Sequence, residues 1–451
     1  MHLVWHRSEL RTHDHPALSA AAATGEPVLP LVVVDPVIFD RPTTTNRRQA
    51  WFLENVRELR ESYRGLGSDL VVRDGVPHDV LAGLAREHAI THVHFVQNHT
   101  PYAKRRDEAV AEALSRAGVA VRTYPGQYTH PPGEVRTGGG GRYSVFGPYA
   151  RKWTSLPMPE LAEAPRRLDA LPREISPGEI RRVASEISLP ATGEAAALGR
   201  LETFLKDGES SYAAARNFPA KRPSTSMLSL YFNIGVLSPR LAVARAKDSK
   251  WRSELAWWDF NAEILDRQPD GATLEFKEAW RGFPWRNDEG EVRRWAEGRT
   301  GYPMVDAGMR QLRKTGFMHN RARLVTASFL TKHLLTDWRV GEAVFRGLLL
   351  CGDSAQNIGN WQWVAGCGYD ASPYFRVLNP VAQGKKFDPE GDYVREWVPE
   401  LAQVPGKSVH RPWSLATPPP GYPAPMIDLD AGRDRFLQAA RGYLRRGGGG
   451  G

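Results

Sequence analysis

Short apolar runs alternate with longer mixed stripes along the first 125 positions. Residues 3–5, 28–34, 69–72, 91–96 and 119–124 read as strands. The run 28–34 is continuous and β-branched, as in a strand buried on both faces. Helical segments fall between the strands at 16–23, 47–66, 79–88 and 101–117. In the second of these, apolar residues at 52, 53, 56, 59, 63 and 66 keep helical spacing. Gly118 closes the last as a C-terminal stop. Five strands alternating with four helices predict a doubly wound, five-stranded parallel sheet of the α/β class. Its ligand crevice should lie at the strand carboxyl ends. No GxGxxG follows the first strand, so a dinucleotide dehydrogenase has no support.

After about residue 196 the strand signal vanishes. Helical stripes cover 195–205, 238–246, 254–265, 292–297, 304–314, 321–335 and 340–350, with Gly316 stopping one of them. Between the two patterns lies a Pro- and Gly-rich connector. Its glycines 138–141 lack the Gly-Lys-Ser/Thr of a phosphate loop and predict a flexible surface turn. The resulting organisation is an α/β domain at 1–125, a linker at 126–195, an all-α domain at 196–446 and a disordered glycine tail at 447–451.

Composition adds little until tryptophan is counted. The chain is 41% hydrophobic and 25% charged, ordinary for a soluble protein. The stretch 28–39 is broken by Pro30, Asp35 and Pro36, and no apolar run reaches membrane-spanning length. The opening MHLVWHRSEL lacks the layout of a secretory signal. Two cysteines, Cys351 and Cys367, supply neither a disulfide framework nor a four-ligand zinc site. No metal is expected, and a reducing cytoplasm fits. A net charge of +9 admits an anionic partner. Of 14 tryptophans, 11 lie after residue 250. Such rings stack on bases or cofactors, pass electrons, or fill a core.

The densest chemistry lies at 351–380, CGDSAQNIGNWQWVAGCGYDASPYFRVLNP. Asp353 and Asn357 precede Trp361 and Trp363, which share a face in a strand and diverge on a helix. Glycines 352, 359, 366 and 368 let a ligand approach the backbone. Other unusual stretches are YAAARNFP at 212–219, TSMLS at 225–229, ELAWWDF at 254–260 and GRTGYPMVDAGMRQLRKTGFMHNRARL at 298–324. In this order they resemble the photolyase/cryptochrome family, closest to its class I cyclobutane pyrimidine dimer (CPD) photolyases. The family's flavin-contacting signature is close to DGDxAxNxGxWQWxAGxGxDAxPYFRxxNP. The opening HRSELRTHDHPAL resembles its WxRxDLRxxDxPAL, and YSVFGPYARKW at 143–153 its linker anchor. The likeness covers nearly the whole chain.

The resemblance implies a Rossmann-like antenna domain, a long linker and an all-helical domain holding one FAD. It implies a monomer acting on DNA that contains pyrimidine dimers. Excited reduced FAD gives the dimer an electron, two carbon–carbon bonds break, and the electron returns, a deoxyribodipyrimidine photo-lyase reaction. Thr225, Ser226, Met227, Leu228 and Ser229 would hold the pyrophosphate at a helix start, although an ordinary Ser/Thr cap explains the same residues. Tyr212, Trp251, Glu254 and Trp258 would line the cofactor. Asn320, Arg323, Cys351, Gly352, Asp353 and Asn357 would surround the flavin ring. Asn357 would face flavin N5, where its amide can donate or accept. Glu254, Trp257, Asn320, Arg321, Arg323 and Trp363 would form a pocket for a flipped dimer, photolyases being among the enzymes that flip bases. Glu254 would hydrogen-bond a pyrimidine carbonyl, and Arg216 and Arg321 would bind phosphates. Trp361, Trp338 and Trp285 match a relay that photoreduces FAD. Asparagine at 357, where plant cryptochromes carry Asp, favours repair. Met318-His319-Asn320-Arg321 lacks the His-His pair of (6-4) enzymes and favours cyclobutane dimers. In the antenna domain NHTPYAKRRD at 98–107 resembles deazaflavin- or flavin-binding members more than folate binders.

Four departures cluster near the expected site. Met227 and Trp258 stand where Arg is usual, Leu324 where Met is usual, and Cys351 where the first Asp of DGD is usual. That Asp pairs in the family with the arginine here numbered 323. Arg323 therefore needs another acid, Asp353 being the candidate, or stays unpaired at a cost if buried. The departures favour the rival reading, a cryptochrome-like FAD photoreceptor without repair. A single-strand nucleic-acid binder using Trp and Arg leaves the ordered motifs unexplained.

Overall fold

Residues 1–447 are described here from a computed structural model, so the glycines 448–451 of the expected tail lie outside them. The last helix, Leu429–Gly447, takes in the first residue of that tail.

Strands β1 (His2–His6), β2 (Val28–Val34), β3 (Val71–Asp74), β4 (His92–Val96) and β5 (Ala120–Tyr124) form one parallel sheet. Its order is β3-β2-β1-β4-β5. β1 and β2 are buried along their whole length, as their apolar sequences require, while the edge strand β5 is partly exposed. Leu3, Trp5, Leu31, Val93 and Phe95 meet Val110 and Leu114 in one core. The apolar signal at 69–72 sits two residues early, because pairing with β2 begins at Leu31 and Val71. That offset also explains Pro30. It pairs with Val4 on one side, one residue before the ladder with β3 begins, so its missing N–H costs no second ladder bond. The order reverses between β1 and β4, the position where doubly wound sheets open a crevice.

The connector carries structure that the Pro/Gly pattern concealed. A helix, Phe146–Ser155, buries Tyr149 and Trp153. Trp153 Nε1 donates to Asp259 at 2.7 Å and the His130 N–H donates at 2.9 Å. These bonds tie the connector to the helix Ser249–Arg267. Glycines 138–141 form an exposed turn closed by the Thr137 N–H on the Gly141 carbonyl.

Among the described residues every element from 193 onward is helical. The chain forms two compact units, Met1–Glu209 with Ser226–Pro269, and Ser210–Thr225 with the chain from Asp270 onward. In the second unit Pro303–Thr315 ends at Gly316 with φ 68°, the left-handed stop its sequence predicts. The single helix expected at 321–335 is instead Asn320–Ser328 followed by a π-helical turn, Phe329–His333. That turn lets the buried Lys332 ammonium donate to the Arg376 carbonyl at 3.0 Å and sets His333 3.2 Å from the Leu378 carbonyl. Ser354–Ala365 is a helix, so Trp361 and Trp363 diverge. Trp361 is 2% exposed and Trp363 only half-buried.

Candidate functional site

In the first unit the helix Ser249–Arg267 places Trp251, Glu254 and Trp258 at i, i+3 and i+7, one stripe of its surface. Trp251 packs on Phe204 with ring centres 4.9 Å apart, and Trp258 lies 5.8 Å from Phe232. Glu254 pairs with Lys250 one turn back, at 3.0 Å. Trp257 stacks on Phe146 at 3.7 Å with planes 12° apart, so the connector helix supports one face of this ring. The helix expected to begin within 225–229 begins at Ser229 and has five residues. Its N-cap is Leu228, with no side-chain cap bond, so an ordinary Ser/Thr cap is not what these hydroxyls provide. Met227 has φ 57°, a left-handed conformation that costs a non-glycine residue about 1–3 kcal/mol.

The second unit brings its predicted residues together around two cavities. Asn320, Arg323, Cys351, Asn357 and Trp361 line the first, with Leu324, Phe345, Gln356 and Asn360. Arg321 and Trp363 line the second, with Leu324, Ser328, Ser372 and Arg376. Leu324 and Val364 belong to both walls and form the partition. The helices Asn320–Ser328 and Ser354–Ala365 thus present residues to each side, because neighbouring positions on a helix point about 100° apart.

Hydrogen bonds fix how these groups point. Asn357 donates its amide N–H groups to Glu342, at 2.8 Å to the carboxylate and 3.1 Å to the carbonyl. Its side-chain oxygen is therefore left as an acceptor. Glu342 is neutralised by Arg346 at 2.5 Å, one helical turn away. Asp353 caps its own helix by accepting from the Gln356 N–H at 2.9 Å. Gln362, between the two tryptophans, brackets residues 271–276 by donating to Gly271 at 2.9 Å and accepting from the Phe276 N–H at 2.8 Å. It is a structural residue.

The region is strongly basic. His319 caps the Asn320–Ser328 helix by accepting from the Arg321 N–H. Burial pushes its imidazole down to about 3, helped by Arg323, Arg222, Arg321 and Arg216 around it. Arg321 donates to Asn217 at 2.6 Å. Its Nε and the His319 Nε2 are buried polar atoms with no protein partner, as expected of a site that receives a polar ligand. Of the two alternatives open to Arg323, pairing with Asp353 or having no acid partner, the structure shows the second among the described residues. The Arg323 Nε donates to the Met318 carbonyl at 2.8 Å and one Nη to Cys351 Sγ at 3.2 Å.

The three relay candidates are carried by neighbouring segments of the helical unit. A Cβ on Gly341 would sit 2.2 Å from Trp361, so the Trp361 ring rests on this glycine. Gly341 is one helical turn from Trp338, itself 1% exposed. The Arg286 N–H bonds the Leu335 carbonyl at 2.7 Å and the Asp337 N–H bonds Asn287 at 2.8 Å. These bonds pin the segment following Trp285 beside the start of the Trp338 helix.

Residues 2–166 match the family described as DNA photolyase, and residues 251–442 match the FAD binding domain of DNA photolyase. A deoxyribodipyrimidine photo-lyase of Thermus thermophilus is 42% identical over 98% of this chain and 99% of its own length. The chain belongs to the DNA photolyase family. A bacterial class III photolyase from Agrobacterium tumefaciens superposes with TM-score 0.90 at 34% identity, covering 98% of both chains. An archaeal photolyase from Sulfolobus tokodaii, described with two FAD molecules, superposes at 0.88 with 27% identity over 98% of this chain and 100% of its own.

As a photolyase-family protein the chain carries the FAD-binding domain, and its first cavity suits a flavin ring. Neutral amides, one guanidinium and aromatic walls offer donors, an acceptor and stacking surface. Sequence reasoning missed Glu342, Gln356, Asn360 and Phe345 on this side, and Ser328, Ser372 and Arg376 on the other. Glu342 with Arg346 reads as a solvated i, i+4 pair, and nothing local distinguishes it. Among the described residues no group of three or more His, Cys, Asp or Glu could hold a metal ion, and no helix is long and apolar enough to cross a membrane.

Proposed function

We propose that this protein is a light-driven DNA repair enzyme that splits cyclobutane pyrimidine dimers, a carbon–carbon lyase. The pair of adjoining cavities in the helical unit carries the reading: one fits a flavin ring, and the other joins Trp363 to Arg321 across a shared wall. FAD, when bound and reduced, supplies the excited electron that opens the dimer and takes it back. Asn357, held by Glu342, presents its oxygen to the ring edge. Arg323 and Asn320 contact the ring, and Asp353 with Gly352 shapes its surroundings. Trp363 gives the flipped dimer an apolar face, and Arg321 and Arg216 take phosphates; Trp257 remains a lesion contact on the strength of the family resemblance alone. Glu254 hydrogen-bonds a pyrimidine carbonyl. Trp361, Trp338 and Trp285 carry electrons inward. Tyr212, Thr225, Ser226, Met227, Leu228, Ser229, Trp251 and Trp258 remain cofactor contacts on the strength of the family resemblance, as do the domain limits 1–125, 126–195 and 196–446.

A second chromophore of deazaflavin or flavin type is proposed at the β1/β4 reversal on the strength of the family resemblance and of the switch in strand order there. The protein is proposed to act as a cytoplasmic monomer on dimer-containing DNA. A photoreceptor without repair is the second reading, favoured by Arg323 lacking the acid partner expected of it.

The test is repair of a dimer-containing oligothymidine by the reduced protein under blue light, beside a dark control. Thymine absorbance returning only in light supports the enzyme. A flavin-loaded protein that repairs nothing leaves the photoreceptor. In the same preparation W338F should slow photoreduction at least tenfold while leaving repair by chemically reduced protein intact.

A further inference from the structure

Among the described residues Arg323 and Cys351 are the only ionisable side chains lining the first cavity; Asn320, Gln356, Asn357 and Asn360 add neutral amides. Among the described residues no carboxylate pairs with Arg323. Its partners are the Met318 carbonyl, the Cys351 sulfur and the face of Phe317, 5.6 Å from the guanidinium. The acids nearby are otherwise engaged, Glu342 by Arg346 and Asn357, and Asp353 by the helix it caps. A thiol is a weak acceptor, so it orients a guanidinium without cancelling its charge. A half-buried cation left in this state favours any ligand that brings a negative charge, far more than it would in water.

We propose that Arg323, held by Cys351 and left without a carboxylate, biases this cavity toward the reduced, anionic form of the flavin, and that residue 351 sets the size of the bias. The inference rests on the reading that this cavity takes the flavin ring. The oxidised ring is neutral. Two electrons from a reductant such as dithionite, with one proton taken from water, give a ring with one negative charge. Tighter binding of that form raises the potential of the bound cofactor. Cys351 is thus a positioning residue that acts through Arg323. Its neutrality keeps the cofactor in the electron-rich state that light-driven electron donation requires.

Spectroelectrochemical titration of the full-length FAD protein tests this. C351D adds a carboxylate and should shift the oxidised-to-reduced balance at least tenfold toward oxidised, about 30 mV for a two-electron couple. C351N has the same shape without the charge and should shift it less than threefold. R323Q removes the cation and should move the balance in the same direction as C351D, which keeps the test alive if C351D folds poorly. Equal potentials in C351D and C351N, or an unchanged potential in R323Q, overturn the inference. N357A separates the two failures. If it alters the bound flavin's absorption spectrum while C351D leaves the potential alone, only the charge argument falls. If neither substitution has an effect, the ring lies elsewhere and both readings fall.

Discussion

The loop after β1 and the first cavity of the helical unit treat buried charge in opposite ways. In the loop, Glu194 receives the Thr12 N–H at 2.7 Å, the Thr12 hydroxyl at 2.9 Å and the His13 N–H at 2.9 Å. Asp14 receives Arg240, the Ser238 hydroxyl and the Ala162 N–H. Arg11 donates to the carbonyls of Gly235 and Gly126. In the cavity, Arg323 meets a carbonyl and a thiol. The first arrangement consumes its charges to hold segments of one unit together. The second leaves a charge over for something that is not protein. Incomplete pairing of a half-buried cation thus marks a binding site, and complete pairing marks a joint.

Replacing one member on each side is the strongest way to break that comparison. Asp14→Ala strands Arg240 and should destabilise the fold by about 3–5 kcal/mol in urea titration. Arg323→Gln strands no acid and should cost about 1 kcal/mol or less. Comparable losses in the two variants would erase the distinction.

Next in size is the contribution of Trp363 to the second cavity. Trp363→Ala should weaken binding of a dimer-containing oligonucleotide by roughly 1–3 kcal/mol, about 5- to 150-fold. Fluorescence anisotropy on damaged and undamaged strands reads it, and equal weakening of both would count against a lesion pocket.

Acid should act on the α/β unit through His94. Burial lowers its imidazole to about 4, with His2 and His92 adding to the effect. Its folded value lies below the unfolded one, so the folded protein binds fewer protons. Stability is then lost as pH falls from about 6.5 toward 4, by at most ~1.4 kcal/mol per pH unit. Asp259, raised to about 7 by burial, acts in the opposite sense, since its folded form holds a proton that the unfolded chain releases. Urea midpoints between pH 7 and 5 should therefore fall less steeply in H94N than in the native protein. Identical slopes would remove His94 from the account. The smallest effect belongs to Arg216. Arg216→Gln should reduce the salt dependence of DNA binding by about one counterion, visible as a shallower slope of log affinity against log salt.

Much of this was legible from local pattern. The five strands and their helices follow from apolar periodicity, and Gly118 and Gly316 sit where helices stop. The connector helix 146–155 was hidden because Pro and Gly dominate its surroundings. The π-turn at 329–333 was hidden because its cause lies in the 376–378 carbonyls, distant in sequence. The motif residues were found by their order along the chain. Glu342 was not, because its role consists only of the contacts it makes.

By itself the sequence determined the sheet, the helical half and the family, because strand and helix periodicities and motif order are local properties. It left undecided whether Trp361 and Trp363 face one way or two, and which group would answer Arg323. Those depend on how separate helices meet. Packing of the 320–328 and 354–365 helices sends one tryptophan into the core and the other to the second cavity. It also sets a cysteine, not an acid, against the guanidinium.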